Sequence, residues 1–140
     1  MKGHKGQSVV EFALVLPLFL FIMFGVIYTG MMFHDYATLS NIARACTREA
    51  AVSATENYSG IEGRYAEKLL RGGLMTSFYK PVGSRPIAIV QKSEEEGKVK
   101  VIETTINMQL NVNGFFLDMI VPQTFGVRYY MRKEPINPTL

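Results

Sequence analysis

Gly6-Gln-Ser-Val-Val-Glu-Phe12 runs into Ala13-Leu-Val-Leu-Pro-Leu-Phe-Leu-Phe-Ile-Met-Phe-Gly-Val-Ile-Tyr-Thr-Gly-Met-Met-Phe33, and this passage decides the architecture of the chain. From Phe12 to Phe33 there is no Asp, Glu, Lys or Arg, and a run of that length crosses a bilayer as one helix. Glu11 stands at its entrance, behind a short basic head (Lys2, His4, Lys5) that closes with Gly6. A charge at the membrane end of an apolar helix is costly enough to ask for a purpose. On the residue alone, a place among the headgroups, favoured by the helix dipole, answers the question.

The apolar run exceeds the roughly 7–15 residues of a cleavable secretory h-region, and no Ala-x-Ala-like site follows it. The sequence therefore predicts a retained anchor over about residues 12–33. The small head stays inside and the larger remainder crosses the membrane, although Arg44 and Arg48 soon after the span weaken the charge argument. Pro17 removes a backbone hydrogen bond and predicts a kink in the helix. Gly25 and Gly30 are not at GxxxG spacing. They read as ordinary membrane-helix glycines or as points of close approach for another helix.

Beyond the span, the helical pattern persists from Tyr36 to Asn57. Leu39, Ile42, Ala43, Cys46, Ala50 and Ser53/Ala54 form one stripe of small and apolar residues, with Arg44, Arg48, Glu49 and Glu56 largely off it. Residues 8–57 make a stalk of about 75 Å if all are helical. Ile61, Tyr65, Leu69, Leu70, Leu74 and Phe78 mark a second amphipathic helix that Gly72-Gly73 bends or ends. Lys80 to Pro86 reads as a loop on Pro and Gly content.

After Pro86 the period changes to two. Ile87–Lys92, a Glu94-Glu-Glu-Gly97 turn and Lys98–Val112 read as a hairpin, and Thr124–Arg132 as a last strand. In the long strand Val99 and Val101 are apolar at odd positions, whereas Ile102 to Val112 are apolar at even ones. That slip predicts a bulge or a sharp twist near Val101–Ile102. Phe115 to Pro122 is too apolar for an ordinary loop and reads as core or as an exposed contact patch. The tail from Glu134 reads as frayed.

The expected fold class is thus α+β: a long N-terminal helix with a transmembrane and an amphipathic half, a second short helix, and a small antiparallel sheet of about three strands. The expected division is 1–6 leader, 7–57 helix and stalk, and 58–140 a small extracytoplasmic domain. The 140 residues, 48% hydrophobic, leave room for one such domain after the anchor. The net charge of +3 is scattered, with no basic stripe, and no nucleic-acid partner is expected. Cys46 is the single cysteine. It reads as a small packed residue, with an intermolecular or reactive thiol as the alternative.

No chemistry is legible. The two histidines, His4 and His34, lie in the head and at the end of the apolar run, so no Ser-His or Cys-His pair belongs to the outer domain. Glu94 to Glu96 read as a solvated turn, or at most a weak cation contact. No P-loop, GxGxxG or paired-cysteine site occurs. The sequence calls for no catalytic residue, cofactor or metal, and for a protein that is not an enzyme.

A basic leader ending in Gly6, then Gln-Ser-Val-Val-Glu-Phe and a long apolar helix, resembles the class III signal of the type IV pilin superfamily. Gly6-Gln-Ser-Val-Val-Glu-Phe-Ala-Leu-Val-Leu-Pro-Leu18 is similar to the opening of TadE-like pseudopilins of tight-adherence (Tad, or Flp) pilus systems, and Ser40 to Ala51 resembles their Ala- and Arg-rich continuation. The resemblance implies a minor pilin or pseudopilin of the cytoplasmic membrane, cut by a prepilin peptidase between Gly6 and Gln7. Glu11 would become the fifth residue, pairing with a neighbouring subunit's amine beside Phe12, and Pro17 would lie in the first helical turns. The implied partners are the membrane, the peptidase and other pilin subunits, the implied outcome a pilus used in adhesion. The competing expectation is an unprocessed single-pass protein whose outer domain is a binding module.

Overall fold

The computed structural model describes residues 4–71, 74, 79–83, 85–94, 99–111 and 122–134. Among these residues two helices, α1 (His4–Val52) and α2 (Ser59–Leu70), precede four strands, β1 (Tyr79–Pro81), β2 (Ile87–Glu94), β3 (Val99–Leu110) and β4 (Thr124–Arg132). The fold is α+β, as the sequence predicts. The chain divides into two compact units between Phe33 and His34, so α1 contributes to both.

In the first unit α1 is apolar over its whole circumference. Val9, Val10, Phe12, Leu14, Phe19, Phe21 and Val26 are all exposed, although they point in different directions around the helix. A helix apolar all round requires an apolar surrounding. Pro17 lies inside the helix, which continues on either side of it.

In the second unit the outer part of α1 packs its stripe against the sheet. Leu39, Ala43, Cys46, Thr47 and Ala50 are fully buried, with Ile42 and Ala51 beside them. Opposite lie Ile87, Ile89, Ile102, Thr104, Ile106, Met108 and Val127. The small side chains let helix and sheet approach closely, and each buried Ile or Leu contributes about 1.5–3 kcal/mol. The Tyr36 and Phe125 rings are 6.0 Å apart, Arg44 lies 5.6 Å from the Tyr129 ring, and Glu134 N–H donates to the Ala51 carbonyl at 3.3 Å. Position along α1 therefore rises with position along β4: the two elements run in the same direction.

The helix ends at Val52, short of the expected Asn57. Ser53, Thr55 and Asn57 compete with the helical backbone through their own side chains. The Ser53 and Thr55 hydroxyls are 3.0 Å apart, and Asn57 Oδ1 accepts from Ser59 N–H at 3.1 Å and Ser59 Oγ at 2.7 Å. Asn57 thus opens α2. α2 ends at Leu70, before Gly72-Gly73, which lie outside the described residues, as does Phe78.

β3 is the centre of an antiparallel sheet. β4 pairs along one side, and β1 and β2 lie end to end along the other. The sheet is four strands by number and three across. Lys80 and Pro81, which the sequence predicts to be the start of a loop, instead belong to β1: Pro81 can end an edge strand because its missing N–H is not needed there, and three residues are too few to reveal a period. The excursion between β1 and β2 contains Gly83 at φ 70° and is bracketed by Asn107, which accepts from Val82 N–H at 3.2 Å and donates to the Pro86 carbonyl at 3.4 Å.

The expected bulge near Val101–Ile102 is not formed. Register is unbroken from Glu94↔Val99 to Ile87↔Ile106 on one side and from Val101↔Arg132 to Gln109↔Thr124 on the other. Val99 and Val101 simply lie half-buried on the outer face, where β-branched residues suit an extended backbone without joining the core. At the start of the tail, Glu134 N–H is held by the Ala51 carbonyl, and along β2 Glu62 accepts the outward N–H of Ile89 at 2.8 Å, so α2 protects that edge. Phe115–Val121, the Glu95–Gly97 part of the turn and the tail beyond Glu134 lie outside the described residues.

Candidate assembly and processing segment

Residues 6–17 all lie on α1. Gln7 Nε2 donates to Glu11 Oε1 at 3.1 Å, one helical turn on, so the side chains implied at the cut site and at the fifth position touch. Phe12 is 65% exposed and Glu11 is exposed. The carboxylate is engaged but accessible, and its next neighbours are apolar.

Gly6 has no structural demand on it. A Cβ built there meets nothing within 4 Å, and its φ is not left-handed. Glycine in a helix costs about 0.5–1 kcal/mol relative to alanine. Neither a turn nor a close approach within the chain accounts for that cost at position 6. Gly25 and Gly30 are equally open. Among the described helices, α1 is the one long and apolar enough to cross a membrane by length and composition.

The outer domain offers grooves but no reaction centre. A cleft of about 840 Å³ lies between α1 and α2, lined by Thr38, Asn41, Ala45, Tyr65, Lys68 and Arg71 among others. Arg64 bridges it by pairing with Glu49. Burial, followed by the Glu49 carboxylate beside it, pushes the Tyr65 phenol up. Among the described residues no group of three or more His, Cys, Asp and Glu is placed to hold a metal ion.

Cys46 is 0% exposed, and burial, with smaller contributions from Glu49 and Glu62 and an opposing one from Thr104, pushes its thiol up to about 12. Such a thiol is neither nucleophilic nor reachable by a second chain, and the packing reading holds. On the other face of the sheet, Glu103 pairs with Lys92 and accepts from Tyr130 Oη at 3.1 Å. The Lys92 hydrogen bond holds the Glu103 carboxyl below the usual carboxylate range, and Glu103 in turn raises Lys92. A third cluster fastens the chain end: Lys133 Nζ reaches Tyr58 Oη and Gln91 Oε1, both at 3.2 Å. Sequence reasoning missed both clusters because their members are far apart in the chain and carry no spacing signal.

Residues 6–48 match the family model of TadE-like proteins. The match begins at Gly6 and ends within the outer part of α1, before α2 and the sheet. It covers less than half of the chain, and over that segment it bears out the resemblance carried by the Gly6–Leu18 sequence. No curated protein and no solved structure matches the chain.

Proposed function

From the TadE-like segment at residues 6–48, we propose that this chain is a minor pilin or pseudopilin of a Tad/Flp-type pilus. It is held in the cytoplasmic membrane by the apolar part of α1, with the head inside and the α+β domain outside, and is cut by a prepilin peptidase between Gly6 and Gln7. The observation that carries this reading is the coincidence of three features at one place. The family match opens at Gly6, Gly6 meets no packing demand of the chain itself, and Glu11 lies one turn beyond Gln7 at the head of an apolar helix. A glycine unexplained from within is explained by a peptidase that reads it from without.

Cleavage moves the helix start from His4 to Gln7. That brings Glu11 one turn nearer the new N-terminus, where free N–H groups and the α-amine favour its negative charge. In an apolar helix bundle, an amine of one subunit and the Glu11 carboxylate of the next are each costly alone, and pairing them penalises wrong registers. Phe12 supplies apolar contact next to that pair, and Pro17 leaves a carbonyl one turn upstream without its helical donor. The function is assembly by binding: helix against helix in the membrane and pilus, domain against domain outside.

The test is Glu11→Ala in the native host. Membrane insertion and leader removal stay intact, and the protein no longer enters pili. Normal piliation with the variant incorporated refutes the role of Glu11.

A further inference from the structure

The direction of the backbone groups along β4 follows from two hydrogen bonds at its ends. Lys133 N–H donates to the Lys100 carbonyl at 2.8 Å, and Leu110 N–H to the Gln123 carbonyl at 2.9 Å. The register between them is unbroken, so the odd-numbered residues of β4 turn their N–H and C=O groups toward β3. Gly126, Arg128, Tyr130 and Arg132 turn theirs away from it. Among the described residues no strand pairs with that side. The β2 border is treated differently, since Glu62 takes the outward N–H of Ile89. Along the β4 border, among the described residues, the outward amide of Glu134 is taken by Ala51, and the four before it stand open.

The side chains that accompany these amides are cationic. Arg128, Tyr130 and Arg132 share the outer face of the sheet, Tyr130 is 53% exposed and both arginines are exposed. β4 contains no Asp or Glu. Glu103, which faces Tyr130 from β3, is held by Lys92 and by the Tyr130 hydroxyl. Arg44 adds a guanidinium on the inner side, 5.6 Å from the Tyr129 ring. None of the three arginines forms an ion pair among the described residues. The border thus offers a row of hydrogen-bonding groups beside positive charge that is not neutralised.

Such a border disfavours its own copy. Antiparallel pairing of two β4 strands about Tyr130 sets each Arg128 opposite an Arg132, and moving the centre by one residue either way leaves arginines diagonal to one another. Like charges so placed destabilise a strand pair, whereas opposite ones stabilise it. We infer that the β4 edge receives an extended segment of a partner polypeptide, acidic at alternate positions, which joins the sheet as a further strand. Acids four residues apart on that segment face Arg128 and Arg132, about 13 Å apart along the strand, and the residue between them lies against Tyr130. The outward amides supply the docking, and the arginines select the sequence. The edge belongs to the His34–Leu140 unit alone, so the inference goes beyond the pilus reading and does not depend on it.

The experiment follows amide hydrogen exchange, residue by residue, on the full chain in a neutral detergent. The probes are a short peptide of alternating Glu and Val and the same peptide with Lys for each Glu. In the free chain the amides of Arg128, Tyr130 and Arg132 are expected to exchange fast and those of Val127, Tyr129 and Met131 slowly. The Glu peptide should slow the first set, and the Lys peptide should not. Each matched charge pair changes affinity by about two- to fivefold, so Arg128→Glu with Arg132→Glu should weaken the Glu peptide by at least about fivefold and make the Lys peptide the better ligand. Arg132→Glu alone, away from Glu103, should shift the preference the same way by a smaller factor. Protection of the even-numbered amides in the free chain at every concentration overturns the proposal, because the chain then covers its own edge. Protection that grows with protein concentration overturns it in favour of a second copy. Equal slowing by both peptides, or slowing by neither, overturns it as well.

Discussion

Truncating Ile102 and truncating Val101 should have sharply different consequences, although the two residues are neighbours of similar character. Ile102 is 0% exposed and lies between Gln91 and Met131 on the face that receives α1. Val101 lies between Lys92 and Arg132 on the outer face and is half-buried. Ile102→Ala removes buried methyl groups and leaves a cavity between helix and sheet, at a cost of about 2–5 kcal/mol. Val101→Ala removes partly solvated surface, at a cost below about 1 kcal/mol. For a domain of this size, each kcal/mol lowers Tm by about 4–8 °C. Ile102→Ala should therefore lower the midpoint by about 10 °C or more and Val101→Ala by no more than a few degrees. Near-ultraviolet circular dichroism, recorded on detergent-solubilised full chain, follows the domain, which carries every tyrosine except Tyr28. Equal losses at the two positions would place both in the core, which an unbroken β3 forbids.

Three other outcomes are expected. Gly126→Ala places a Cβ 2.9 Å from Asn107 Oδ1 and 3.0 Å from the Ile106 carbonyl, and the overpacking cost of about 1–3 kcal/mol exceeds the gain from a stiffer unfolded chain; a melting temperature at or above that of the parent refutes this contact. Cys46 should resist iodoacetamide in the native state, about a thousandfold less reactive than a free thiol at the same pH, and label promptly on unfolding; rapid native labelling contradicts its burial. The depressed carboxyl of Glu103 contributes stability above the ordinary glutamate value of 4.5 that disappears as pH falls through its folded pKa, while raised Lys92 contributes below 10.5 and loses its share as pH rises through its own. Glu103→Gln should accordingly flatten the acid limb of the stability profile measured by urea unfolding, and an unchanged acid limb refutes the linkage.

The apolar run, the small-residue stripe and the alternation of β2 and β4 carry their structure openly, since each repeats a period long enough to read. What stayed hidden obeys other rules. β1 is too short for a period, and its Pro81 reads as a breaker until β3 supplies an edge to pair with. Val99 and Val101 imitate a phase slip because β-branched residues suit an extended backbone on either face, so two valines cannot show which face is covered. The premature end of α1 depends on hydroxyl and amide side chains at Ser53, Thr55 and Asn57, whose competition with the helix is local and aperiodic. The segment from Gly6 to Pro17 was legible as a pattern, and the structure adds the Gln7–Glu11 contact and the open space around Gly6.

Intact-mass analysis of the protein extracted from membranes of its native host decides whether Gly6 marks a cut. The expected mass lacks Met1 to Gly6, with or without one methyl group on the new terminus. An uncut N-terminus in a host with an active prepilin peptidase contradicts it, and would make the chain a single-pass anchor for a binding domain.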